Sequence, residues 1–98
     1  MKNAEMIATD THQAKLHVAS LAVHLMPQQL ASFKRWLAGF AVPTEIHAES
    51  TEGKLVLVLE THNDKDISTL ISAINSQTGI ISAALVYHEI VTEETDTP

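Results

Sequence analysis

The sequence predicts an α+β domain whose elements follow one another in the order β-α-β-β-α-β. Four segments have the alternating or β-branched apolar residues of strands, and two others carry apolar residues at the spacing of a buried helix face. Glycine or proline separates most of these segments, as expected for turns. A length of 98 residues is that of one domain, and 45% hydrophobic with 18% charged residues is typical of a globular one.

The first strand and the first helix occupy the segment up to residue 40. Residues 16–25 alternate loosely between apolar and polar and predict a strand. Pro27 suits the first position of a helix, where its missing N–H would have no partner in any case, and Gly39 marks the helix end. The apolar residues at helical spacing between them are Leu30, Phe33, Leu37 and Phe40.

Two strands joined by a tight turn come next. Pro43 opens the second strand, in which Ile46 and Ala48 alternate with polar residues, so we expect a half-buried strand at the edge of a sheet. Gly53 supplies the turn. The third strand, residues 54–59, is apolar at nearly every position, which is typical of a strand covered on both faces.

The last two predicted elements are a helix and a strand. Asn63 or Asp64 can cap the second helix, with Asp66 in its first turn near the positive end of the helix dipole. Gly79 is the expected left-handed stop, and residues 80–90 form the fourth strand. The predicted buried stripe of the helix consists of Ile67, Leu70, Ile71 and Ile74.

Two strand-helix-strand halves of this size predict the ferredoxin-like fold. We expect a four-stranded antiparallel sheet in the order 4-1-3-2, with both helices on one face and the other face uncovered. The folded domain should comprise residues 16–90. Residues 1–15 are expected to form a flexible extension, and residues 91–98 a disordered acidic tail.

Side-chain bulk assigns the two faces of the sheet. The bulkier rows should meet the helices, namely Ala19, Leu21 and Val23, then Leu55, Leu57 and Leu59, and finally Ile81, Ala83, Leu85 and Tyr87. We call the opposite face the open face. It is predicted to carry Val18, Ser20, Ala22, Val56, Val58, Ser82, Ala84 and Val86, with Glu45 and Glu49 at its border on the second strand.

These ten residues are the candidate binding residues. Small apolar side chains leave a shallow trough that could accept a helix about 10 Å wide. Contiguous exposed apolar area usually marks an interaction site, and an acidic border favours a partner that is both apolar and cationic. An ordinary sheet surface, or half of a homodimer interface, remains the alternative interpretation.

Several classes of function are excluded or disfavoured. The absence of cysteine excludes disulfide-stapled modules, thiolate metal sites and cysteine nucleophiles. A formal net charge of -6 argues against nucleic-acid binding. His17 and His88 are expected on opposite faces of the sheet, so we predict no metal site. No nucleophile elbow or phosphate-binding loop is present, so we expect neither catalytic residues nor a cofactor.

The sequence also bears on location. No segment approaches the roughly 18–20 apolar residues that span a bilayer. The N-terminus lacks the charged and apolar regions of a secretory signal. We therefore expect a cytoplasmic protein without membrane insertion.

Three segments of the predicted strands are distinctive, namely VASLAV at residues 18–23, GKLVLVLE at 53–60 and GIISAALVYH at 79–88. Together they resemble the NapD family, and the resemblance covers residues 16–90. It implies a cytoplasmic chaperone for the periplasmic nitrate reductase catalytic subunit, a molybdenum-cofactor and iron–sulfur enzyme that the twin-arginine pathway exports folded. Family members bind the twin-arginine signal peptide of that enzyme and delay its export until the cofactor is inserted.

The resemblance and the predicted open face point to one partner. A twin-arginine leader presents two arginines and then an apolar segment able to form a helix. The open face could bind the apolar stripe, while Glu45 and Glu49, with Glu60 as a further candidate, could bind the arginines. We expect a monomer that binds this peptide. A self-associating or small-ligand-binding regulatory domain of the same fold is the alternative.

Overall fold

The computed structural model describes residues 13–94, and within them the elements follow the predicted order. Strand β1 comprises Gln13–Leu25, and after a 3-10 turn at Pro27–Gln29 helix α1 comprises Leu30–Ala38. Strands β2 and β3 comprise Glu45–Glu49 and Lys54–Thr61, helix α2 comprises Lys65–Asn75, and strand β4 comprises Ile80–Glu94. Neither helix of this part of the chain has the length and apolar character needed to cross a membrane.

The first and last strands are longer than predicted. β1 begins at Gln13 and not at residue 16, and β4 continues to Glu94 instead of ending near Ile90. Residues 91–94 were predicted to belong to the disordered tail, but they pair with residues 13–16 of β1 and so belong to the sheet. Residues 1–12 and 95–98, where the extension and the rest of the tail were predicted, lie outside the described residues.

The four strands form one antiparallel sheet in the order β2-β3-β1-β4, which is the predicted order counted from the other edge. β1 is central and pairs with β3 along one edge and β4 along the other. β2 and β4 are the outer strands of the sheet.

The buried side chains lie between one face of the sheet and the two helices. The strands contribute Ala19, Leu21, Val23 and Leu25 from β1 and Leu55, Leu57 and Leu59 from β3, and the helices contribute Phe33, Leu37, Ile67, Leu70 and Ile74. Burying a leucine or phenylalanine side chain contributes about 1.5–3 kcal/mol, so this layer is the main source of stability. The predicted inward rows of β1 and β3 are confirmed, and both helices cover the same face.

The predicted inward row of β4 is wrong at two positions, because two β-bulges interrupt its pairing with β1. The register shifts between Ser20 and Leu21 and again between His24 and Leu25, which leaves Val86 and Ile81 as extra residues. Each extra residue reverses the alternation of side chains beyond it. Consequently Ile80 packs against the core in place of Ile81, which is 55% exposed.

Tyr87 is the second wrongly assigned residue of β4. It lies opposite Ser20, which faces away from the helices, and its side chain is 50% exposed. Only the central part of the predicted inward row keeps its phase, with Ala83 and Leu85 opposite Val23 and Leu21. Most of the large exposed apolar side chains of the described chain lie on this outer strand, namely Ile81, Leu85, Val86, Tyr87, Ile90 and Val91.

Two glycines hold the end of β1. The backbone N–H of Leu25 donates to the carbonyl of Gly53, and that of Met26 donates to the carbonyl of Gly79, both at 2.8 Å. Both glycines have positive φ, 93° for Gly53 and 85° for Gly79. Gly79 therefore has the predicted left-handed conformation, although it follows the end of α2 at Asn75 by four residues.

Helix α2 begins where the sequence predicts. Asn63, and not Asp64, supplies the side-chain cap, because the Asn63 Oδ1 accepts a hydrogen bond of 3.0 Å from the backbone N–H of Lys65. The Thr61 hydroxyl donates to the Asp66 carboxylate and ties the first turn of the helix to the end of β3.

Replacement of Gly53 by alanine is expected to destabilise the fold by about 2–3 kcal/mol. A Cβ atom at this position would lie 2.0 Å from the Leu25 carbonyl oxygen, and the positive φ strains any L-residue. Gly39→Ala is the matched control, since Gly39 has φ -99° and its Cβ would lie 3.8 Å from the nearest atom. Urea denaturation monitored by Trp36 fluorescence measures both. Equal stability of the two variants would contradict this account of the turn.

Candidate functional site on the open face

Outward side chains of neighbouring strands lie side by side on the open face and form transverse rows. We name four of them from the strand pairing. The basic row consists of Lys54, His24 and Ser82, and the small row of Ala48, Val56, Ala22 and Ala84. The mixed row consists of Glu45, Val58, Ser20 and Tyr87, and the acidic row of Glu60, Val18 and Glu89.

The small row lies beside a shallow depression of about 450 Å³. Its lining includes Ala22, Ala48 and Val56 together with His24 and Lys54 of the basic row. Val56 and Val58 are half-buried, and Ala22 and Ala84 are exposed. The centre of the face is therefore apolar and low, with room for a partner to lie on it.

Charge is distributed asymmetrically along the strands. At one end, Lys54 and His24 supply the only basic or imidazole side chains of the four rows. At the other end lie three carboxylates, Glu45, Glu60 and Glu89. From Lys54 to Glu60 the distance along β3 is about 20 Å, at roughly 3.3 Å per residue. The open face is thus an apolar strip with an acidic end and a weakly basic end.

Seven of the predicted residues occupy this face in the predicted orientation. They are Val18, Ser20, Ala22, Val56, Val58, Ser82 and Ala84. Val86 instead occupies a bulge, without a paired residue on β1, and its side chain is 61% exposed. That these residues bind a peptide remains a prediction.

The two carboxylates predicted at the border of the open face lie on opposite sides of the sheet. Glu45 lies opposite Val58, on the open face. Glu49 was predicted beside it, but a bulge at His47 reverses the alternation, so Glu49 lies opposite the inward-facing Leu55. Its carboxylate forms an ion pair with the Lys34 ammonium of helix α1, at 2.9 Å. Glu49 therefore joins the sheet edge to the helix layer and does not border the open face with its side chain.

Tyr87 and Glu89 are open-face residues that the sequence interpretation missed. The bulge at Val86 turns both toward this side, where they lie opposite Ser20 and Val18. The Tyr87 hydroxyl donates a hydrogen bond to the Glu89 carboxylate. That hydrogen bond, with smaller contributions from desolvation and from the Glu89 charge, raises the pKa of Tyr87 above its ordinary value of 10.0. No sequence feature marks this bulge. The prediction therefore assumed regular alternation along β4 and placed Tyr87 on the helix side of the sheet.

The bulge at Val86 also changes the face of the sheet on which His88 lies. His17 and His88 were predicted on opposite faces, but both lie on the helix side of the sheet, with His88 opposite Ala19. His17 Nδ1 and His88 Nε2 are 3.0 Å apart, so one ring donates to the other. Among residues 13–94 no group of three or more histidine, aspartate or glutamate side chains is arranged to hold a metal ion.

The chain is thus an α+β domain of the ferredoxin-like fold with one uncovered sheet surface. Comparison with known proteins then identifies the family. The family model described as NapD protein matches residues 16–92, so the chain belongs to the NapD family.

A solved structure has the same fold. The solution structure of the E. coli Tat proofreading chaperone protein NapD matches with a TM-score of 0.65 and 21% sequence identity. The match covers 85% of this chain and 84% of that one. No curated protein sequence matches this chain significantly.

Absorbance at 295 nm can test the Tyr87–Glu89 pair, because Tyr87 is the only tyrosine in the sequence. We expect tyrosinate to form with a midpoint above pH 10.0 in the folded chain and at a lower pH in Glu89→Gln. Because the pKa is raised on folding, the stability from this pair is present below pH 10.0 and lost as the pH rises through the raised pKa. Glu52→Gln, in the turn before β3, is the control. The same midpoint in the wild type and in Glu89→Gln would refute the pair.

Proposed function

We propose that this protein is a cytoplasmic maturation chaperone that binds a twin-arginine signal peptide on its open face. The client is the catalytic subunit of the periplasmic nitrate reductase, and the bound chaperone delays export until the cofactor is loaded. Membership of the NapD family supports the proposal, and so does the shared fold with the E. coli Tat proofreading chaperone protein NapD. The chain itself needs no catalytic residue, metal or cofactor for this role.

The observation that carries the proposal is the combination of an apolar strip and an acidic end on one uncovered surface. The leader has the matching chemistry, since an apolar segment follows two arginines. The four strands span about 14 Å across, at roughly 4.8 Å between neighbouring strands. One helix about 10 Å wide can therefore lie along the strands and cover the strip, in the manner of a helix in a groove.

Apolar burial and charge contribute differently to this binding. Burial of the small and mixed rows contributes about 25 cal/mol for each Å² removed from water, and so should supply most of the affinity. An exposed carboxylate–guanidinium pair contributes only about 0–1 kcal/mol. The carboxylates of the acidic end should therefore raise the association rate and set the orientation of the peptide.

Substitution of Ala84 by glutamate is expected to abolish leader binding while the domain stays folded. Ala84 is exposed on the outer strand β4, at the end of the small row next to Ala22, so the new carboxylate would lie against a helix that covers the row. Ala31→Glu, on the exposed side of helix α1, makes the same change away from the open face. Isothermal titration calorimetry with a synthetic leader measures both, and an unchanged affinity in Ala84→Glu would rule out the open face.

The two border carboxylates give a second test. Glu45→Lys should weaken leader binding by about two- to five-fold and reduce its salt dependence, since Glu45 lies on the open face beside Val58. Glu49→Lys makes the same charge change on the other side of the sheet, next to Lys34, and should leave both quantities nearly unchanged. Titrations at two salt concentrations measure the affinity and its salt dependence for both variants. Equal effects of the two substitutions would contradict the placement of the carboxylates.

Self-association is the competing use of the same surface, and a size measurement distinguishes it. We expect the free chain to be a monomer by sedimentation. A stable dimer that Ala84→Glu dissociates, together with no binding of a leader, would favour the self-associating alternative.

A further inference from the structure

The acidic row has a geometry of its own. Glu60 on β3 and Glu89 on β4 both pair with Val18 of the central strand, from opposite sides. Their α-carbons are therefore about 10 Å apart, two strand spacings across the sheet. The half-buried Val18 lies between them, so the surface between the two carboxylates is low. We call Glu60 and Glu89 the carboxylate bracket.

The bracket is not neutralised within the described residues. Across residues 13–94 the single ion pair joins Lys34 to Glu49, which leaves Glu60 and Glu89 without a cationic partner. Glu89 is held by the Tyr87 hydroxyl, and the half-exposed Tyr87 ring lies beside it on the same face. A planar guanidinium can bind a carboxylate with two hydrogen bonds and stack on an aromatic ring, and the Glu89 arm offers both contacts.

We propose that the bracket receives the two adjacent arginines of the bound leader, one on each side of Val18. This inference rests on the proposed function. Consecutive residues of a helix point about 100° apart, so two adjacent arginines on a helix above Val18 diverge toward β3 and β4. One guanidinium then meets Glu60, and the other meets Glu89 and the Tyr87 ring. A single arginine would use only one arm of the bracket.

The bracket also sets the direction of the peptide. Since the arginines precede the apolar segment, the N-terminal end of the leader helix lies at the acidic row. The apolar segment then passes over the mixed and small rows toward Lys54 and His24. About 13 helical residues cover the roughly 20 Å between these ends. The helix dipole is favourable in this direction, with its positive end at the carboxylates and its negative end at Lys54.

A double-mutant cycle tests the bracket. Affinities are measured for the wild-type chain, Glu60→Gln and Glu89→Gln with three synthetic leaders that carry two arginines, one arginine and one glutamine, or two glutamines. We expect each glutamate substitution to weaken the two-arginine leader by about two- to five-fold and to leave the two-glutamine leader unchanged. Glu52→Gln, a carboxylate in the turn at the other end of the face, should affect no leader.

Paramagnetic relaxation measures the direction independently. A nitroxide at the N-terminus of the two-arginine leader should broaden the amide signals of Glu60 and Glu89, and one at its C-terminus those of Lys54 and Ser82. The reverse pattern would overturn the inferred direction. Glu60→Gln and Glu89→Gln could instead weaken the two-glutamine leader as much as the two-arginine leader. That result would overturn the bracket and leave the proposed function intact. If the wild-type chain bound none of the leaders, the proposed function itself would fall.

Discussion

The structure depends on the two-sided pairing of the central strand. β1 is hydrogen-bonded to β3 along one edge and to β4 along the other, and its end is held by the carbonyls of Gly53 and Gly79. Its alternation sends Ala19, Leu21 and Val23 to the helices and smaller or polar side chains to the open face. A one-residue slip of this strand would exchange the two faces, so its register determines both the core and the candidate site.

The sequence predicts the architecture well because the signals for it are local and repeated. The alternation in β1 and β3, the helical stripes and the two turn glycines each point to the same element order, and the observed sheet follows it. The bulges could not be predicted in this way. The extra residues are Ile81, Val86 and His47, and none of them is a glycine or another residue type that marks a bulge in the sequence. Their existence depends on how the outer strands fit a register already set by β1 and β3.

The same difference between regular strand segments and bulges applies to the candidate site. Its apolar centre was predictable, since Val56, Ala22 and Ala84 lie on regular stretches of strand. Its charged end was predictable only in part, since Glu45 and Glu60 lie on the open face as expected and Glu49 does not. One bulge turns Glu49 to the helix layer, where Lys34 neutralises it, and another turns Glu89 and Tyr87 onto the open face. The net charge of -6 therefore contains carboxylates in different environments, since Glu49 is paired with Lys34 while Glu60 and Glu89 have no cationic partner among the described residues.

The irregularities of β4 have a further consequence for the fate of the protein at high concentration. β4 is an outer strand of 15 residues with several exposed apolar side chains, a combination that ordinarily templates the addition of foreign strands. The bulges at Ile81 and Val86 interrupt the even spacing of backbone donors and acceptors and increase the local twist. An incoming strand can match at most the eight residues 87–94 without crossing a bulge, so these departures from regularity shorten the edge on which amyloid-like stacking could begin.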